Sequence, residues 1–368
     1  MHSNRLLASR AEARAQPRGD LELRFCRDCG FIQNQAFDPS LQVYAEDYED
    51  AQAGSPRFRR FSGELVEHLV ERYRLEGSCV LEIGCGRGDF LNELCQRTGG
   101  PGIGIDPAFR PSEVSRHAPS SLRFVREHYG SQHAALDAAL VACRHTLEHL
   151  QEPRAFVELL RANLEQRPET PVYFEVPDTE RILVEQAFWD VYYEHVSYFT
   201  CGSLARLFRA AGFELLDLRL GFAGQYLMLE ARPGTRAAAR GAGADDEVER
   251  LERQVESFAV HVAETLGAWR ERLAAWQRAG RRVALWGSGS KAVGFLTSLQ
   301  VDGEVACVVD INPRKQGTFQ AGTGHPIVSP RQLAAHRPDV VIVMNPVYRD
   351  EIGAELEAMG VQAELRTL

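Results

Sequence analysis

Within VYYEHVSYFT the chain sets Tyr192, Tyr193, Glu194 and His195 in succession, with Tyr198 three residues on. An imidazole titrates near neutrality, so His195 suits the removal of a proton from a weakly acidic C–H. A carboxylate such as Glu194 can orient the ring and raise its basicity. A phenol such as Tyr192 can hydrogen-bond an oxygen on which charge develops. The same stretch also reads as the aromatic wall of a core, with Tyr198 and Phe199 packing, and the elements around it decide between the two.

A second constellation lies in LEIGCGRGDF, where Glu82 ends a strand-like run and Gly84, Gly86 and Gly88 follow. Glycines let a backbone turn tightly and approach a ligand without a Cβ clash. The third glycine comes one residue earlier than in the GxGxxG of dinucleotide sites, a spacing that points to S-adenosylmethionine, which carries no pyrophosphate. Asp106 ends the next strand, 18 residues after Gly88, where an acid accepts hydrogen bonds from ribose hydroxyls. In CRHTLEHLQEP, His145 sits at the C-terminal end of a strand, the edge at which α/β ligands bind. His149 reads as a packing or capping residue.

The elements that must position these groups alternate. Strand candidates CVLEIG, GIGID, LRFV, AALVAC and VYFEV are separated by helical patterns such as GDFLNELCQRT and PRAFVELLRANLE. This alternation predicts a parallel α/β sheet. ELLDLRL and QYLMLEAR, joined by GFAG, add a terminal hairpin, which makes seven strands in the order of class I methyltransferases. PGTRAAARGAGADD reads as a linker, and residues 247–280 as a connecting helical hairpin or a dimer contact. From residue 282 a second, smaller Rossmann-like unit begins with VALWGSGSKAVGFL. Its Gly287 and Gly289 precede a helix whose amides could cradle an anion. Lys291 adds a point charge, and Asp310 ends the next strand, where it could hold a ribose. The unit therefore reads either as an anchor for a substrate's diphosphate or nucleoside, or as a Rossmann shell packed on the first sheet.

Composition narrows the classes. The 368 residues exceed one ordinary core and predict two or more domains. No apolar run reaches the roughly 18 residues of a membrane span, and no h-region of a signal peptide is present, so a cytoplasmic location is expected. A formal net charge of −9 argues against general nucleic-acid binding, which needs basic surface. Eight cysteines are scattered, and only Cys26 and Cys29 form a motif, FCRDCG; the others read as reduced thiols. Lys291 and Lys315 are the only lysines.

Taken in order, LEIGCGRGDF, CRHTLEHLQEP, FEVPDTE, YYEHVSYFT, GQYLMLEAR and VVDINPRKQGTFQAGTGHPI resemble the three-domain sugar C-methyltransferases. Those enzymes methylate carbon 3 of a nucleotide-linked 4-keto deoxysugar. The resemblance implies a zinc-binding N-terminal segment over 1–58, an S-adenosylmethionine-binding domain over 59–240, and a helical connector with a C-terminal Rossmann-like domain over 241–368. It implies that His195 is the base, Glu194 its acidic partner and Tyr192 a hydroxyl partner. Tyr193 stands where the family has histidine, which bears on the acceptor. Tyr48, in AEDYEDAQAGS, matches a tyrosine that closes over the substrate. Cys26 and Cys29 match the second of two cysteine pairs; the first has no counterpart here, and two thiolates alone do not complete a tetrahedral zinc site.

The expected partner is a small molecule, a nucleotide sugar, with the chain a monomer or homodimer. Three other readings stay open: methyl transfer to oxygen or nitrogen of another metabolite, a nicotinamide-dependent oxidoreductase built on the second unit, and a non-catalytic binding protein.

Overall fold

The computed structural model describes residues 3–41, 54–111, 121–234 and 244–368. Tyr48 lies outside the described residues. A short hairpin, β1 (Leu23–Phe25) and β2 (Ile32–Asn34), carries Cys26 and Cys29 at its tip. Five strands then alternate with helices: β3 (Val80–Ile83), β4 (Gly102–Ile105), β5 (Leu122–Val125), β6 (Leu140–Arg144) and β7 (Val172–Pro177). After β8 (Ser197–Tyr198), the hairpin β9 (Phe213–Gly221) and β10 (Tyr226–Pro233) completes the region. The main sheet runs β5-β4-β3-β6-β7-β10-β9; its first five strands are parallel, and β10 is antiparallel to β7 and β9. This is the seven-stranded sheet expected from the sequence. Its central strands are buried on both faces, as the continuous apolar runs require.

The sheet is covered on one side by Pro56–Tyr73 and Asp89–Thr98, through Leu65, Leu69, Leu91 and Leu94. On the other side lie Pro153–Asn163 and Cys201–Ala210, through Val157, Leu160, Leu204 and Phe208. The second sheet holds β11 (Val283–Trp286), β12 (Cys307–Val309), β13 (Ile327–Val328), β14 (Val340–Val343) and β15 (Glu364–Thr367), all parallel, in the order β13-β12-β11-β14-β15.

Two features depart from expectation. The stretch read as a helical hairpin is one helix, Ala244–Arg278. Leu251 near its start packs with Ile32, Leu183 and Tyr198, whereas Trp269, Leu273 and Trp276 near its end enter the core of the second sheet. A single helix thus serves two cores. Second, β8 joins the N-terminal hairpin as a third strand, through Ile32–Tyr198 and Gln33–Ser197 pairs. Among the described residues, no helix is long and apolar enough to cross a membrane.

Candidate active site

The site forms along the C-terminal edge of β3, β4, β6 and β7. In the loop after β3, Gly84 has φ +71°, and a Cβ there would stand 1.9 Å from the Thr146 hydroxyl. Gly86 has φ +52° with open space where a Cβ would be. Gly88 precedes the helix Asp89–Thr98 in a left-handed conformation. Asp106, at the end of β4, accepts hydrogen bonds from the Gly86 amide at 2.9 Å and the Ala108 amide at 2.7 Å. A carboxylate offers about four lone-pair sites, so Asp106 keeps capacity for a ribose diol. The open cradle at Gly86 and this capacity fit S-adenosylmethionine. Gly84→Ala should cost about 2 kcal/mol or more from the left-handed backbone alone. It should also weaken adenosylmethionine binding, as read by thermal denaturation and calorimetry.

Glu82 lies in β3 beneath the glycine loop. Its carboxyl is buried, and the desolvation raises its pKa to about 8 against the opposing charge of Arg144 and a hydrogen bond from the Leu91 amide. It braces the start of the helix beneath the glycine loop.

His145 lies among acidic side chains, its own side chain 28% exposed. It has φ +47°, rare for a side chain of this size, and both ring nitrogens turn to carboxylates: Nδ1 stands 3.4 Å from Glu148 and Nε2 2.9 Å from Glu175. Burial opposes its charge, but the two carboxylates prevail and raise its pKa to about 9. Glu175 also accepts from Arg144 at 2.8 Å and from the Tyr173 hydroxyl at 2.7 Å. Burial would raise its pKa, yet Arg144 and then His145 bring it down to about 2. His145 is therefore a cation locked into a buried network. Its ring lies 4.6 Å from Tyr226, which stacks on Phe222 at the tip of the β9–β10 hairpin.

The catalytic candidates sit on a segment tied at both ends. On one side Val196 donates to the Glu148 carbonyl at 2.9 Å and accepts from the Asn34 amide at 2.8 Å. On the other, Phe188 and Trp189 enter the core of the second sheet. Between them the His195 ring lies 4.2 Å from Tyr192 and 5.0 Å from His149. Burial, and then repulsion from His149, His145 and Lys291, holds the His195 pKa well below the ordinary range, so the ring is neutral. Burial, and then Asp190 and Glu194, pushes the Tyr192 phenol up, so it keeps its proton.

Two residues of this group were not picked out by sequence reasoning. One ring nitrogen each of His149 and His195 and one oxygen of Glu148 lie within 4.8 Å of one another. Glu148 is 1% exposed; among the described residues its carboxylate meets no hydrogen-bond geometry, and His145 Nδ1 stands 3.4 Å from it. His149 Nδ1 stands 2.8 Å from the Glu194 carbonyl. A carbonyl only accepts, so Nδ1 carries the hydrogen and Nε2 keeps its lone pair when the ring is neutral. The EHLQ run after β6 held the signal, but only β8 and the turn before it bring His195 alongside.

Other candidates lie elsewhere. The Glu194 carboxylate is gripped by the backbone amide and hydroxyl of Ser3 and by the Ser290 hydroxyl; the carboxylate close to His195 is Glu148. Tyr193 is not placed as an acceptor contact. Its hydroxyl accepts from the Asp38 amide at 2.7 Å and donates to the Asp38 carbonyl, its ring stacks on Phe37, and Gly19 lies against it. Lys291 pairs with buried Asp190 instead of standing free for a phosphate. Asp310 is engaged by the amide and hydroxyl of Ser288, between Gly287 and Gly289. Its other oxygen accepts from the Asn312 amide at 2.8 Å. Cys26 and Cys29 adjoin, with the Cys29 thiol pushed up first by burial. Among the described residues no third metal-ligating group joins them.

Residues 55–218 match the family model of a methyltransferase domain, and residues 238–363 match that of a C-methyltransferase C-terminal domain. The C-methyltransferase NovU of Streptomyces niveus is 26% identical over 364 residues, 94% of this chain and 85% of the relative. An indolepyruvate C-methyltransferase of Streptomyces griseus is 36% identical over 64 residues, 17% of this chain and 19% of that one. Among solved structures, a Burkholderia thailandensis 1,6-didemethyltoxoflavin-N1-methyltransferase aligns with a TM-score of 0.37 at 19% identity, over 50% of this chain and 83% of that one. The sheet order, the glycine loop facing an acid on the next strand and the two matched domains agree: the chain is an S-adenosylmethionine-dependent methyltransferase that carries the C-terminal domain of the C-methyltransferases.

Proposed function

We propose that the chain methylates carbon 3 of a nucleotide-linked 4-keto deoxysugar, through an enolate made by His195. The observation that carries this reading is the neutral, buried His195 beside the buried Glu148 carboxylate. The similarity to NovU along nearly the whole chain supports a carbon acceptor.

S-adenosylmethionine, when bound, supplies an electrophilic methyl group on sulfur. The residues of this chain prepare the other partner. A carbon beside a ketone becomes nucleophilic once its proton leaves. Neutral His195 accepts that proton, and the imidazolium so formed meets the nearby negative charge of Glu148. A carboxylate within a few ångströms in a dry site favours the charged ring and so offsets the low proton affinity that burial imposes. Tyr192, protonated and 4.2 Å from the His195 ring, donates to the oxygen that gathers charge. The fixed backbone on either side holds the carbon in line with the methyl group.

The motive for an oxygen or nitrogen acceptor was Tyr193, and its place against Asp38 and Phe37 gives that substitution a structural reason. A nicotinamide site in the second unit is disfavoured because Lys291 and Ser290 of its turn are engaged by Asp190 and Glu194. The test is to incubate the purified chain with a nucleotide-linked 4-keto deoxysugar and adenosylmethionine carrying a carbon-13 methyl. A new methyl resonance coupled to a ring carbon is expected; a methyl on oxygen or nitrogen, or no transfer, would count against the reading.

A further inference from the structure

We propose that the second domain is a clamp for the catalytic segment, with Lys291 and Gly294 as its positioning residues. The claim that this clamping matters for turnover rests on the role given to His195.

In a Rossmann-like unit, the glycine turn and the helix after the first strand receive a phosphate. Here that turn faces two carboxylates of the same chain. Lys291 is paired with Asp190, which is 4% exposed and also accepts from Arg181 at 2.6 Å. Ser290, the first residue of the helix Ser290–Leu299, stands 3.4 Å from a carboxylate oxygen of Glu194. Asp310, at the end of the next strand, accepts from the amide and hydroxyl of Ser288 within the turn and from the Asn312 amide at 2.8 Å.

Packing repeats the pattern. A Cβ on Gly294 would stand 2.8 Å from the Trp189 carbonyl oxygen, so this helix touches the backbone of the catalytic segment. Phe188 stacks on Phe295 at 6.0 Å, and both belong to the core of the second sheet. His195 directly follows Glu194 and begins the stretch that hydrogen-bonds to Glu148 and β2. The segment is thus fastened by charge and core packing on one side and by strand pairing on the other, with the base between them. A shift of about 1 Å in such a base costs roughly a hundredfold in rate, so what fixes Asp190 and Trp189 fixes turnover.

The test uses the full chain and two variants. Lys291→Met removes the charge and keeps most of the volume. Gly294→Ala adds a methyl against the Trp189 carbonyl and touches no charge. In both, amide hydrogen exchange across residues 188–198 should quicken by roughly tenfold or more while β3 and β4 keep their protection. The kcat for methyl transfer should fall roughly 10- to 100-fold with acceptor KM little changed. Thymidine diphosphate serves as the ligand probe, and its affinity by calorimetry should not depend on Lys291. Unchanged exchange in both variants overturns the clamp. A loss of thymidine diphosphate affinity in Lys291→Met, with exchange and kcat held, overturns it in favour of phosphate anchoring. Faster exchange with full methyl transfer overturns the positioning role, while the base itself is tested apart from the clamp by the rate of His195→Ala.

Discussion

His195→Ala should lower kcat for methyl transfer by about 10²- to 10⁴-fold, the usual contribution of a positioned general base, with adenosylmethionine affinity unchanged. The separation follows from the geometry. The cradle proposed for the cofactor comprises Gly84, Gly86, Gly88 and Asp106 on the β3 and β4 loops, whereas His195 arrives on a segment held by β2 and the second domain. Glu148→Gln should lower kcat as well, by a smaller factor, because it removes the charge that steadies the imidazolium and leaves the lone pair of His195 in place. Calorimetry for the cofactor and steady-state rates for transfer check both; a cofactor affinity that falls together with the rate would mean the two halves are not separable.

Glu175→Gln should be among the most destabilising isosteric changes in the chain, at about 3–5 kcal/mol, the cost of leaving a buried charge without its partner. Glu175 is fully buried and faces Arg144 and His145, both cationic in the native state. Its loss would leave Arg144 without its ion-pair partner and His145 with Glu148 alone. The pH dependence has a definite sign. Glu175 titrates at about 2 when folded and near 4.3 when unfolded, so its contribution is present above about 4.3 and is lost as pH falls toward 2. His145 titrates at about 9 when folded and near 6.5 when unfolded, so its contribution is complete below about 6.5 and is lost as pH rises through 9. Denaturant midpoints for the wild type should therefore be highest between these limits and decline on both sides. Glu175→Gln should flatten both slopes, and an unaltered profile in that variant would show that other groups set it.

The sheet was legible because its signals are local. Strands buried on both faces leave continuous apolar runs, and a glycine-rich turn between strand and helix writes its own spacing. The single long helix was misread because its apolar residues serve different cores at its two ends, so no one stripe runs its length. The active site was legible only in part. Asp106 and the glycines are marked out by their places at the ends of β4 and β3, and the structure brings them together in one hydrogen-bonded loop. What sequence spacing cannot show is which carboxylate meets which ring. Glu194 is adjacent to His195 along the chain, yet its side chain leaves toward Ser3 and Ser290, while Glu148, far away in sequence, stands close to the imidazole. The same reason hid the fate of the second glycine turn. Lys291 and Asp310 carry the marks of a ligand site, and their partners, Asp190 and Ser288, are visible only once the chain is folded.

The most direct test of the central claim needs no methyl transfer. A nucleotide-linked 4-keto deoxysugar is incubated in deuterium oxide with the chain and S-adenosylhomocysteine, which occupies the cofactor cradle without donating a methyl group. The wild type should wash deuterium into carbon 3, beside the ketone, and His195→Ala should leave that position protonated. Equal deuterium uptake by the two proteins would contradict the assignment of His195 as the base.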